Sequence, residues 1–294
     1  MLGATLFWQG QFRQAGTHLD QALARYDPQH IHTHLALYAQ DPKVVCLCRL
    51  ALDLWFLGYP DQASRIGQES LVLARALAHP FSLTYVMYYD ALRYAAARQS
   101  GEVLERAKAT IVSCREYHVD YWYRFATILL GWARGAHGDV EAGIAQICDG
   151  LDMVEAASTV LMRPHYLTLL AELYAKAGDV ERGLELLVEA LAAAGAHGEH
   201  WCEAEIYRVR GELLLASGAG TSAVEALFQR AIEIAQAQQA RSLELRAATS
   251  LARLWHATGR PEAARQLLTP LYSWFTEGFD TPDLQAARSL IAQL

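Results

Sequence analysis

The sequence predicts an all-α fold: a superhelical solenoid of about seven helical hairpins with a C-terminal capping helix. Three observations predict it. Apolar residues recur at i, i+3, i+4 and i+7 along nearly all of the 294 residues, and strand-like alternation is rare. Helix-stopping glycines recur at a spacing near 40. Small residues stand at fixed offsets from those glycines, where two helices would have to cross closely.

The elements follow in order. Residues 167–177 read as a helix, Gly178-Asp179 breaks it, and 181–194 read as the returning helix. Glycine suits the break because it alone enters the left-handed backbone region without strain. The stops are Gly10, Gly58, Gly138, Gly178, Gly218 and Gly259, separated by 48, 80, 40, 40 and 41 residues. The 80 is two periods, with the missing turn expected at Gln99-Ser100-Gly101. Five residues after most stops stand Ala15, Ala63, Gly143, Gly183 and Ala264. The turn at 218 is one residue longer and has Val224 there, and the turn near 99 has Leu104. Seven residues before the stops stand Gly3, Ala51, Gly131, Ala171, Gly211 and Ala252. The two sets are expected to face each other across each hairpin.

The extra eight residues between the first two stops fall in 28–43, bounded by Pro28 and Pro42, and read as a long loop. Thr281-Pro282-Asp283 reads as a helix start, with Thr as N-cap and Pro at the first helical position. The domain reading is therefore one solenoid over 1–294. Its first repeat is 1–27, the loop 28–43, repeats two to seven lie in 44–280, and the cap in 281–294. Met1-Leu2-Gly3 opens inside a first helix with nothing to cap it. The first repeat is thus expected to be truncated, and Leu2, Leu6 and Phe7 to be exposed.

Composition excludes several functions. Residues 1–150 hold 13 Lys+Arg against 14 Asp+Glu, leaving 12 against 18 for the rest, so neither half offers the basic surface that nucleic acid needs. No apolar run reaches the length of a membrane span, and no secretory signal opens the chain. The five cysteines are scattered and odd in number, as buried thiols in a reducing cytoplasm would be. The expected location is cytoplasmic.

The pattern resembles the tetratricopeptide repeat. Ala171, Tyr174, Gly178, Gly183, Leu187 and Ala190-Leu191 match it best. Gly3, Leu6, Gly10, Ala15, Leu19 and Ala22-Leu23 match in the first copy, and Ala252, Trp255, Gly259, Ala264 and Leu268 in the last. The period of 40 exceeds the usual length of about 34. Units this long resemble the regulatory repeat regions of large bacterial signalling ATPases and transcription activators. Residues 203–208, 242–248 and 274–281 are similar to the C-terminal tails of one bacterial group, as are 26–28, 41–42 and 54–60. That group joins a class III adenylate/guanylate cyclase-like or other signalling domain, an AAA-type ATPase and tetratricopeptide repeats. The resemblance implies a repeat region that regulates an attached domain.

Chemistry of its own is not legible in the chain. Of its three lysines, Lys43, Lys108 and Lys176, none completes a phosphate-binding Gly-x-x-x-x-Gly-Lys-Ser/Thr loop. His30-x-His32-x-His34 would share a face in a strand and could approach a zinc ion there, but a solvated polar loop is the simpler account. Cys46 and Cys48 lie in a helical stretch that points their thiols about 200° apart. No catalytic residue, metal site or cofactor is expected.

The expected functional surface is the groove lined by the first helix of each hairpin. Register with the tetratricopeptide family places Tyr89 and Arg93 there from repeat three and Trp132 from four. Repeat five supplies His165, Glu172 and Lys176, repeat six Glu205, Arg208 and Glu212, and repeat seven Arg246, Arg253 and His256. Arg offers a planar fork for carboxylates, and Trp and Tyr offer broad amphipathic faces. Glu205/Arg208 and Glu172/Lys176 are also spaced to pair within one helix. A further aromatic group, Tyr117, Tyr121, Trp122, Tyr123 and Phe125, reads as packing between repeats, as does Trp201. The expected function is a non-enzymatic interaction module. It would bind a protein or peptide partner, or an attached upstream ATPase or cyclase-like domain, with neither nucleic acid nor membrane as partner. The alternatives are a small-molecule effector sensor and a scaffold or oligomerisation piece.

Overall fold

The computed structural model describes residues 2–294, apart from the side chain of His32. The described residues form helices and no strand. Seven hairpins pair α1 (Leu2–Trp8) with α2 (Phe12–Ala24), α4 (Pro42–Leu57) with α5 (Pro60–Leu77), and α6 (Pro80–Ala96) with α7 (Ser100–Glu116). They continue with α8 (Asp120–Ala136) and α9 (Val140–Ala156), α10 (Arg163–Lys176) and α11 (Val180–His197), and α12 (Glu203–Ala216) and α13 (Thr221–Ala237). The last is α14 (Arg241–Ala257) with α15 (Pro261–Trp274), followed by α16 (Pro282–Ile291). The fold class is the tetratricopeptide-like helical-hairpin solenoid.

The small residues do what their spacing implies. A Cβ on Gly143 would lie 2.6 Å from the carbonyl oxygen of Gly131, and one on Gly131 would lie 2.8 Å from that of Gly143. A Cβ on Gly183 would lie 2.9 Å from the Ala171 oxygen, and one on Gly3 would lie 3.1 Å from the Ala15 oxygen. These hairpins cross backbone on backbone. In repeat six the longer turn shifts the register, and Gly211 faces the Phe228 ring instead.

Two sequence expectations change. The missing turn lies one residue earlier than expected, because Arg98 takes the left-handed position at φ 60° while Gly101 lies inside α7. The stops from Gly58 through Arg98 to Gly259 then run at 40, 40, 40, 40 and 41. Ala91 and Val103 fill the crossing positions of repeat three, both fully buried. The segment 28–43 is mostly helical, with a 3-10 turn at Pro28–His30 and α3 at Ile31–Tyr38. The prolines that looked like loop boundaries begin helical elements, where a fixed φ and a missing N–H cost nothing. Asp27 accepts the Gln29 N–H at 2.9 Å, and Asp41 accepts the Val44 N–H at 3.1 Å and the Tyr26 hydroxyl at 2.7 Å.

The structure divides into two compact units. The first comprises Met1–Phe7, Arg13–Trp55 and Asp61–Val160, and the second Trp8–Phe12, Phe56–Pro60 and Leu161–Leu294. In the first, Leu2 is exposed, but Leu6 and Phe7 are buried. In the second, Phe12 stacks on Phe56 at 4.7 Å, and Trp201 meets Phe56 and Trp8 in T-shaped contacts at 5.6 and 5.5 Å. The Trp8 carbonyl accepts the His200 and Trp201 N–H groups. Around α13 to α16 a core of Phe228, Leu251, Leu268 and Leu284 closes the C-terminal end. Helix α16 begins at Pro282 as expected, although the Thr281 hydroxyl donates to the Gly278 carbonyl instead of capping.

Candidate functional site

Within the second unit, the repeat period aligns equivalent positions of successive first helices. His165, Glu205 and Arg246 are one such set, and Glu172, Glu212 and Arg253 another. The alignment turns separate charges into a row across α10, α12, α14 and α16. Arg208 forks onto Glu205 at 2.9 and 3.0 Å, reaches Glu212 at 3.3 Å and approaches Glu172 at 3.7 Å. Arg246 reaches Glu205 at 3.2 Å and forks onto Asp283 at 3.0 and 2.6 Å. The Ser250 hydroxyl donates to Glu212 at 2.6 Å.

Two guanidinium groups thus hold four carboxylates. Each fork satisfies two donors with parallel bonds, the strong geometry for this pair. The four carboxylates are not evenly hidden. The Glu205 and Asp283 side chains are 11% and 18% exposed, but those of Glu172 and Glu212 are 21% and 37% exposed. A carboxylate has about four lone-pair sites, so the two open ones can accept further donors. Lys176, Arg253 and His256 lie exposed near the C-terminal ends of α10 and α14. His165 is buried with its ring 4.9 Å from Trp201.

The remaining expected residues lie in the first unit, and there each is buried against neighbouring side chains. Tyr89 is buried, 4.5 Å from the Tyr85 ring, with the Arg49 guanidinium 4.6 Å from its centroid. Arg93 is buried and bonds Asp90 at 2.8 Å and Ser64 at 3.2 Å. Trp132 is buried with Arg98 over its ring at 5.6 Å. In the aromatic group, Trp122 joins successive repeats by stacking on Tyr88 at 5.2 Å and meeting Tyr85 edge-on at 5.1 Å. Tyr121 and Phe125 adjoin it, Tyr123 accepts a bond from Arg115, and Tyr117 is exposed.

Some polar groups escaped the sequence reading. Asp53 of α4 is fully buried, and neither of its oxygens has a hydrogen-bond partner among the described residues. Its carboxyl lies against Gly16 of α2, where a Cβ would come within 2.8 Å of Oδ2. Burial, with Asp20 as a minor like charge, pushes its pKa up to about 8. The one signal in the sequence is an aspartate alone in the apolar run 50–57. Glu199 is buried too, but it accepts the Met162 N–H at 2.9 Å and the Trp201 indole N–H at 2.8 Å. Burial still raises its pKa, against those bonds.

Among the described residues no group of three or more His, Cys, Asp or Glu is placed to hold a metal ion. His30 and His34 lie 6.2 Å apart, and the side chain of His32 lies outside the described residues. All five cysteines are free, and burial pushes the Cys48 thiol up to about 12. No described helix is long and apolar enough to cross a membrane.

No family profile matches the chain. It is 27% identical over 253 residues to an uncharacterized protein of Rhizobium meliloti, covering 85% of this chain and 24% of that protein. The chain thus spans about a quarter of the length of this relative. Among solved structures it is similar to a Rap protein complexed with competence and sporulation factor, at TM-score 0.69 and 13% identity, covering 99% of this chain and 85% of that one. It is also similar to NprR in complex with its cognate peptide NprX, at TM-score 0.63 and 13% identity, covering 95% and 81%. At these identities the likeness concerns the fold.

Proposed function

We propose that this chain is a non-enzymatic regulatory module. It binds a peptide or partner-protein segment along the first helices of repeats five to seven and controls an attached ATPase or cyclase-like domain of a larger bacterial signalling protein. One observation carries the reading: the charged row of α10, α12 and α14 keeps the Glu172 and Glu212 side chains partly exposed, at 21% and 37%. An extended segment could donate backbone N–H groups and a Lys or Arg side chain to these carboxylates. Arg208 and Arg246 keep the row in place while it does so.

Two comparisons support this reading. The Rhizobium meliloti relative is much longer than the match, which leaves room for an output domain. Two structures of similar fold are complexes, one with competence and sporulation factor and one with a cognate peptide. The regulatory logic is differential binding: a segment that favours one arrangement of the repeats shifts the attached domain with it. A stack held by neighbour interfaces deforms gradually, which suits that role.

Selection from a random peptide library on the purified chain tests the idea. The expected result is enrichment of peptides carrying Lys or Arg, reduced at least tenfold when Glu172→Lys and Glu212→Lys are combined. Selection without basic enrichment, or enrichment indifferent to the charge reversal, would refute it.

A further inference from the structure

A separate cavity lies in the first unit, on the side of α6 where α5 and α7 meet it. Its volume is about 190 Å³, and its walls include Gln68, Leu71 and Arg75 of α5, Met87 and Asp90 of α6, and Arg106 of α7. That is room for about six water molecules at about 30 Å³ each, and less than the roughly 300 Å³ at which drug-sized sites begin. The occupant is therefore a small molecule or a single side chain.

The charges on the wall are unequal in number and in freedom. Asp90 is fully engaged, with Arg93 bonded to Oδ1 at 2.8 Å and Arg106 to Oδ2 at 2.6 Å. Arg106 is held further by Glu102 and by the Tyr94 ring, 3.9 Å from its guanidinium carbon. Arg93 lies over the same ring at 4.1 Å. Both Asp90 oxygens are thus committed to neighbouring guanidinium groups. Arg75, in the last turn of α5, is exposed, and its guanidinium has no hydrogen bond or ion pair among the described residues. The lining carries two guanidinium groups and one carboxylate, a surplus of one positive charge.

Polar and apolar walls are segregated. Gln68, Leu71 and Arg75 fall at i, i+3 and i+7 on one face of α5, so an amide and a guanidinium flank an aliphatic side chain. Met87 adds a second apolar wall from α6, and its unbranched thioether adapts to ligand shape. A dianionic phosphate would overfill one surplus charge and leave the apolar wall unused. A monocarboxylate matches both.

We propose that this cavity binds a short-chain carboxylate. Its carboxyl group pairs with the Arg75 fork beside the Gln68 amide, and its hydrocarbon part lies against Leu71 and Met87. The site shares no residue with the charged row of repeats five to seven, so its failure would leave that reading untouched, and the reverse. The same chemistry could come from a free metabolite or from the C-terminal carboxylate of a partner chain.

Methyl-labelled methionine provides the assay, because the chain has only four Met and Met87 lines the cavity. The probes, titrated into the full chain, are sodium butyrate, butyramide, inorganic phosphate, and a short peptide ending in Val with either a free or an amidated C-terminus. The expected result is a saturable shift of the Met87 methyl signal with butyrate, at least tenfold weaker with butyramide and in Arg75→Gln. Arg75 is exposed, so its replacement leaves the fold intact, and the other three methyl signals report this. If the free-acid peptide binds more tightly than butyrate while its amide does not bind, the carboxylate comes from a chain terminus; if butyrate alone binds, it comes from a metabolite. A Met87 signal that ignores butyrate, responds equally to butyramide, prefers phosphate or is indifferent to Arg75→Gln overturns the proposal.

Discussion

Replacing Gly143 by Ala tests how closely the hairpins cross. The added methyl would lie 2.6 Å from the Gly131 oxygen, 2.9 Å from the Gly135 nitrogen and 3.0 Å from the Gly135 Cα. Carbon–oxygen contacts settle near 3.3–3.6 Å even when weakly hydrogen-bonded, so α8 and α9 must separate by most of an ångström. All three obstructing atoms are backbone, so no side-chain rotation can relieve the clash. Overpacking of this kind costs about 1–3 kcal/mol, and a backbone clash belongs at the upper end. Alanine returns about 1 kcal/mol of helix propensity, which leaves a net loss of about 2 kcal/mol. Gly195 of α11 is the control, because nothing lies within 4 Å of its Cβ position. There the same change stabilises by about 0.5–1 kcal/mol. Identical substitutions should therefore act in opposite directions, about 3 kcal/mol apart. Urea unfolding followed by circular dichroism measures the difference. Repeat arrays can depart from two-state behaviour, so hydrogen exchange of the α8 and α9 amides should locate the loss. A Gly143→Ala variant as stable as the wild type would refute the backbone-on-backbone crossing.

Three further outcomes are expected. Asp53 has an ordinary carboxyl pKa near 3.8 when unfolded and one of about 8 when folded, so it stays protonated in the native state while the unfolded chain ionises. Its contribution to stability is then lost as pH rises from about 4 to about 8 and levels off above. Asp53→Asn should gain stability relative to wild type across that window, and parallel pH curves in denaturant melts would count against it. Ala78 sits at φ 49° and is exposed, so Ala78→Gly should stabilise by about 0.5–1 kcal/mol, the left-handed strain less the entropy of a freer unfolded chain. Loss of stability in the same melts would show that the turn carries no strain. Arg246→Ala leaves Asp283 without its fork, while Glu205 keeps Arg208. Removing one partner of a buried pair costs about 3–5 kcal/mol, reduced here to about 2–3 by the partial exposure of Asp283. Hydrogen exchange should report it as early opening of α16.

The fold was largely legible, and particular residues show why. Gly58, Gly138 and Gly178 stop helices through their own backbone freedom, and Ala171 and Gly183 let two helices cross because neither carries bulk. Such signals act within one hairpin. Arg98 hid its turn because it adopts the left-handed conformation without the residue type that favours it. Pro28 and Pro42 misled because proline begins helices as readily as it bounds loops.

The groove residues were legible only as positions. Register places Arg208 and Arg246 on the first helices, and it also pairs Arg208 with Glu205 three residues away. It does not show that Arg246 would reach Asp283 across 37 residues, or that Arg208 would approach Glu172 in the preceding repeat. It gives no hint that Asp53 would be closed in against Gly16 without a donor.

The sequence by itself determined the repeat, its period near 40, the hairpins and their crossing points. These depend on backbone preference and side-chain volume, which act over a few residues. Only the tertiary structure decided which charges pair, which carboxylates stay open and where the cavity beside Arg75 forms. Those outcomes depend on how successive repeats are offset and rotated. The offset comes from many contacts acting together, and no single residue records it.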